Sequence, residues 1–112
     1  MCTYEIELMD SHNAVQSAHI YRMDQGEKFM VGHFTVDTSD HIFAGNGLLT
    51  LLFNAISMCR GAGSRITINC GSDRIKSAVE QTISAPEEKS CEDKLMADHL
   101  RYLRGAHGIN VK

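Results

Sequence analysis

The stretch Arg65–Val79, RITINCGSDRIKSAV, decides the architecture, because its hydrophobic period changes midway. Ile66 and Ile68 alternate with polar neighbours, as in a strand with one buried face. From Ile75 onward, Ala78, Val79, Thr82 and Ile83 recur at helical spacing. Between the two patterns, Cys70-Gly71-Ser72-Asp73 forms a tight polar turn in which Ser72 is placed to cap the helix. The expected order is a strand over Arg65–Cys70, a corner, and a helix that Ser84-Ala85-Pro86 ends. A thiol just before a helix start can be reactive, but a strand-end cysteine is ordinarily a buried, inert one. Asp73 fits the first turn of the helix, where a carboxylate stabilises the exposed N–H groups by about 0.3–1 kcal/mol.

Working upstream, Leu48–Arg60 is apolar nearly all round, which predicts an enclosed central helix that Gly61-Ala62-Gly63 terminates. Tyr4, Ile6 and Leu8 alternate with Glu5 and Glu7, predicting a first strand over Thr3–Met9 with one wet face. Ala14–Met23 and Lys28–Asp37 flank Asp24-Gln25-Gly26-Glu27, a loop suited to a hairpin with a type I turn and a bulge. Downstream, Ser90 with Asp93 forms a capping box, Met96, Leu100 and Leu103 form an apolar stripe ending near Gly105, and Ile109–Val111 reads as a short last strand. The predicted order is βββαβααβ, an α/β fold with a mixed sheet covered by helices.

At 112 residues the chain suits one domain, taken as residues 1–112, with its own core. A formal net charge of −3 removes the simplest argument for nucleic-acid binding, a strongly basic footprint. Nine of the 11 lysines and arginines lie from Arg60 onward, which leaves a local basic patch open. Cys2, Cys59, Cys70 and Cys91 show no zinc-finger spacing and read as reduced thiols in a cytoplasmic protein. The longest apolar stretch, Leu48–Cys59, is too short to cross a bilayer, so no membrane partner is expected.

IYRMDQGEKFMVGHFTVDTSD, LLTLLFNAISMCRGAG and RITINCGSDRIKSAV resemble the second and third strands, the central helix, and the fourth strand and following helix of the ribonuclease H-like fold. HLRYLRGAHGINVK is similar to the helix and strand that lead toward that family's last catalytic segment, at which the sequence stops. The resemblance implies the fold and a comparison of acids, since ribonuclease H chemistry needs carboxylates converging on two magnesium ions. Asp10 fits the family's first aspartate. The family's glutamate falls at Gly47 or Leu48, and its Asp-Ser pair at Gly71-Ser72, so these positions hold no metal-binding carboxylate. Asp73, two positions on, points elsewhere on its helix. The resemblance therefore implies the architecture without the activity, and leaves Asp10 and Asp73 as the weak catalytic candidates, with a nuclease of rearranged magnesium site as one alternative.

A second resemblance, of AGNGLLTLL to the N-acetyltransferase superfamily, makes Gly45 and Gly47 candidates for cradling the pyrophosphate of acetyl-coenzyme A. The arginine or glutamine expected before the first glycine is Ile42 here. A third, to the histidine phosphocarrier of sugar transport, rests on GSRITINCGSDRIKSAVEQ and offers only His12 as its histidine.

The hairpin carries the remaining signal. In an even register Ser17, His19, Tyr21, Phe29, Val31, His33 and Thr35 share one face, while Ala18, Ile20, Met30, Phe34 and Val36 share the other and make the better core. The first face lies either under the last helix or open to a partner, and His19, Tyr21, Phe29 and His33 are its binding candidates. Two histidines without a third ligand make a poor metal site, and no cofactor is expected. The sequence thus points to a non-catalytic ribonuclease H-like module that associates as a homo-oligomer or with a protein partner.

Overall fold

The computed structural model describes residues 2–11, 14–35, 46–61, 63–84 and 91–112. They form a mixed α/β structure of five strands and three helices, in the order β1 (Thr3–Ser11), β2 (Ala14–Asp24), β3 (Glu27–Thr35), α1 (Asn46–Ser57), β4 (Arg65–Asn69), α2 (Asp73–Ser84), α3 (Cys91–Ala106) and β5 (Gly108–Val111). The strands make one sheet in the spatial order β3-β2-β1-β4-β5. β1, β2 and β3 are antiparallel neighbours, and β4 runs parallel to β1 on one side and to β5 on the other. Ala14–Asp24 is a strand, which goes against the phosphocarrier resemblance, since that family places its histidine, for which His12 was the candidate here, at the start of a helix.

Period-two alternation settles which side of the sheet is buried. Tyr4, Ile6 and Leu8 of β1, Ala18 and Ile20 of β2, and Ile66 and Ile68 of β4 are all buried on one side. Against them lie Leu48, Leu49, Leu51, Leu52, Ala55 and Ile56 of α1, together with Ile75, Val79 and Ile83 of α2 and Leu100 and Leu103 of α3, in a single cluster. Each fully buried leucine or isoleucine contributes roughly 1.5–3 kcal/mol relative to exposure. All three helices therefore share one face of the sheet.

Local chemistry sets the ends of the elements. α1 stops at Ser57, short of the expected Arg60, because its last turn tightens: the Met58 N–H is shared between the Asn54 and Ala55 carbonyls, and Cys59 N–H donates to Ile56 O at 3.0 Å. Gly61 at φ 107° then turns the chain back toward β4. The buried Ser64 hydroxyl donates to Gly61 O at 2.6 Å, and Tyr4 Oη donates to Arg60 O at 2.8 Å, tying this connection to β1. Ser72 Oγ accepts Ile75 N–H at 3.3 Å, so the expected cap of α2 is in place. The Ser90–Asp93 capping box lies outside the described residues and side chains.

Candidate functional site

Because the side chains of a strand alternate, the residues between the core positions point away from the helices. Among the described residues no helix covers that side. Registered pairing lays it out in rows. One row runs Met30, Tyr21, Glu5, Thr67 and Asn110 across β3, β2, β1, β4 and β5. The next runs His33, His19, Glu7 and Asn69. Thr35, Ser17 and Met9 lie beyond, and Lys28, Met23, Thr3 and Arg65 below.

The middle of this face is a connected polar network. Lys28 Nζ lies 3.2 Å from Glu5 Oε2 and 3.1 Å from Glu7 Oε1, and passes 5.4 Å from the centre of the Tyr21 ring. Asn69 Nδ2 donates to Glu5 Oε1 at 3.1 Å. The Asn69 hydrogen bond, with Lys28 adding to it, holds the Glu5 carboxyl below the usual carboxylate range against the opposing effect of burial. The same two carboxylates raise the Lys28 ammonium above its ordinary value, the Glu7 hydrogen bond contributing most. Beside this network, the His19 and His33 rings meet edge to face with centroids 4.8 Å apart, and His19 stands 6.4 Å from Tyr21.

His19, Tyr21 and His33 share the uncovered face as the alternation predicted, but Phe29 does not. Ile20 pairs with Gly32 and Tyr21 with Met30, which leaves Val31 as an extra residue. This bulge reverses the side on which the first half of β3 presents its residues. Phe29 pairs with Arg22, which pairs with Tyr4, so it lies on the helix side of the sheet, 50% exposed beyond the reach of the helices. Met30, expected in the core, takes the place on the uncovered face and is 55% exposed. The hairpin loop also differs from expectation: Gln25 and Gly26 have φ of 50° and 83°, the two positive values of a tight two-residue turn of type I′, so the bulge sits within the strand instead of at the loop. Val36 lies outside the described residues.

Alternation marked Glu5 and Glu7 as wet without assigning them a partner. Lys28, Met30 and Asn69 were missed as members of the face. Gly32 was the available signal, since an isolated glycine in a strand marks a bulge, and the bulge is what moves Lys28 and Met30 across.

The turn Cys70-Gly71-Ser72-Asp73 is a corner between β4 and α2. Cys70 N–H donates to Lys112 O at 2.8 Å, fastening the end of β4 to β5. Desolvation raises the Cys70 thiol pKa, with Lys76 opposing and Glu80 adding, which is the reverse of an activated nucleophile. Asp73 is exposed in the first turn of α2. Asp10 lies on β1, but its side chain is outside the description, as is Gly45; Gly47 lies within α1. Among the described residues no three histidine, cysteine, aspartate or glutamate side chains are grouped to hold a metal, and no helix is long and apolar enough to cross a membrane. Compared with known proteins, the chain matches no family model and no curated relative.

Proposed function

We propose that this protein is a ribonuclease H-like module that binds without catalysing, and that it associates with a second copy through the uncovered face of its sheet. The observation that carries this reading is the one-sided placement of the helices, which, among the described residues, leaves His19, Tyr21, Met30 and Met9 outward on one surface while the opposite surface holds the core. The strand order, with an antiparallel β1–β3 meander and β4 parallel to β1, supports the ribonuclease H-like assignment. Gly71 and the Gly47-Leu48 pair, at the positions where that resemblance asks for carboxylates, support a binding role over a nuclease.

The size of the face suits a second copy. Strands spaced about 4.8 Å apart, with a rise of about 3.3 Å per residue, give five strands a planar footprint on the order of 500 Å². Side chains standing on that plane add to the accessible area, bringing it to the order of the roughly 800 Å² that each partner buries in a standard interface. Tyr21 and the outward Met9 and Met30 supply adaptable contact area, and Lys28, within 3.2 Å of both Glu5 and Glu7, offsets one of their two negative charges.

Sedimentation velocity of the parent and of Tyr21→Glu tests the reading. The parent sediments as a dimer, and Tyr21→Glu, which sets a third carboxylate beside Glu5 and Glu7, sediments as a monomer with an unchanged circular dichroism spectrum. A parent that is monomeric at high concentration, or a dimer indifferent to Tyr21→Glu, removes this face from the function.

A further inference from the structure

The uncovered face sets two imidazoles side by side, and nothing in the described part of this chain completes a metal site around them. His19 and His33 are direct cross-strand partners whose ring centroids lie 4.8 Å apart. A tetrahedral zinc ion bound to two imidazole nitrogens at about 2.0–2.1 Å places the two ring centres about 5 Å apart. The pair thus stands at chelating separation, and rotation about the side-chain torsions is enough to turn one nitrogen of each ring toward a common point. Imidazole is the ligand that suits zinc, and a structural zinc takes four ligands. Only two are at hand. No group of three candidate ligands exists among the described residues, and Glu7, the next residue in the row, has its Oε1 directed to Lys28 at 3.1 Å.

We propose that His19 and His33 form half of a zinc site that a second copy of the chain completes, so that one zinc ion bridges two chains through four imidazoles. A two-fold axis lying between the faces and passing over the histidine pair supplies the missing two ligands. Two sheets packed face to face lie about 10 Å apart, which puts an ion on that axis about 5 Å above each sheet, within the span of a histidine side chain plus one coordination bond. This inference rests on the self-association proposed for the same face, and it adds a metal that tightens that contact.

The test is sedimentation velocity of the chain stripped with a chelator, with and without zinc chloride at half an equivalent per chain, alongside the visible spectrum after substitution with cobalt(II). Zinc is expected to raise the dimer fraction at least tenfold at a chain concentration where the stripped protein is mostly monomeric, and cobalt to give the absorption of a tetrahedral site. Both responses should vanish in His33→Ala, His33→Gln and His19→Ala, and persist in His99→Ala, whose histidine lies on the exposed side of α3 near Phe53 and Tyr102. A response to zinc that survives His33→Gln overturns the site. A stripped protein that dimerises, loses the dimer in Tyr21→Glu and ignores zinc keeps the self-association and discards the metal. A monomer with and without zinc discards both.

Discussion

Glu5 accepts hydrogen bonds from Asn69 and Lys28 while standing in the middle of an otherwise open sheet, and its lowered pKa makes it a probe of that network. A carboxyl whose folded pKa lies below its unfolded value contributes stability above the unfolded value, about 4.3 for glutamate, and loses it as pH falls through the folded value. Glu5→Gln should therefore lower stability at neutral pH and flatten the loss of stability on acidification below about pH 5. Urea titrations of both proteins at several pH values check this, and parallel curves would show that the network carries no linkage. The thiols give a second test at this scale. Burial pushes Cys59 up to about 12 and raises Cys70, whereas Cys91 is exposed at the start of α3. Iodoacetamide at neutral pH should modify Cys91 first and leave Cys59 untouched until the chain unfolds; early alkylation of Cys59 in the native protein would contradict its burial. Cys70, the cysteine that the sequence singled out, is partly buried just after β4, and desolvation raises its thiol pKa.

At the scale of elements, the expected strands and helices occur in the expected order, and the period was plainest where an element buries one face, as in β1, β4 and α2. The departures lie where backbone geometry, which period does not report, takes over. α1 ends at Ser57 through a tightened last turn, although the apolar pattern runs on to Cys59. β3 holds a bulge at Val31, although its sequence alternates as if straight, and one extra residue exchanges Phe29 for Met30 on the uncovered side. The central helix is the element on which the fold most depends, since Leu52 is fully buried at the middle of the common core. Leu52→Ala should cost about 2–5 kcal/mol in chemical denaturation. A change below about 0.5 kcal/mol, the range of ordinary surface substitutions, would place α1 at the periphery.

At the scale of the molecule, the described residues set three helices on one side of a five-stranded sheet, which bury one half of the alternating residues and leave the other half outward. Alternation marked this outward half on β1 and β2 but could not say that the last helix would join the covered side; Leu100 and Leu103 fit either arrangement until packed against α1. Two exposed surfaces then compete to be the interface: the sheet face with Met9, Met23 and Met30, and the helical layer with Leu95, Tyr102 and the half-buried Met96. The methionines separate them. A dilution series of the protein carrying ¹³C-methyl methionine, followed by NMR, reads both surfaces at once. Self-association through the sheet requires the Met9 and Met30 methyl signals to shift and broaden with rising concentration while Met96 stays fixed. Movement of Met96 alone, or of no methionine over the whole series, would contradict it.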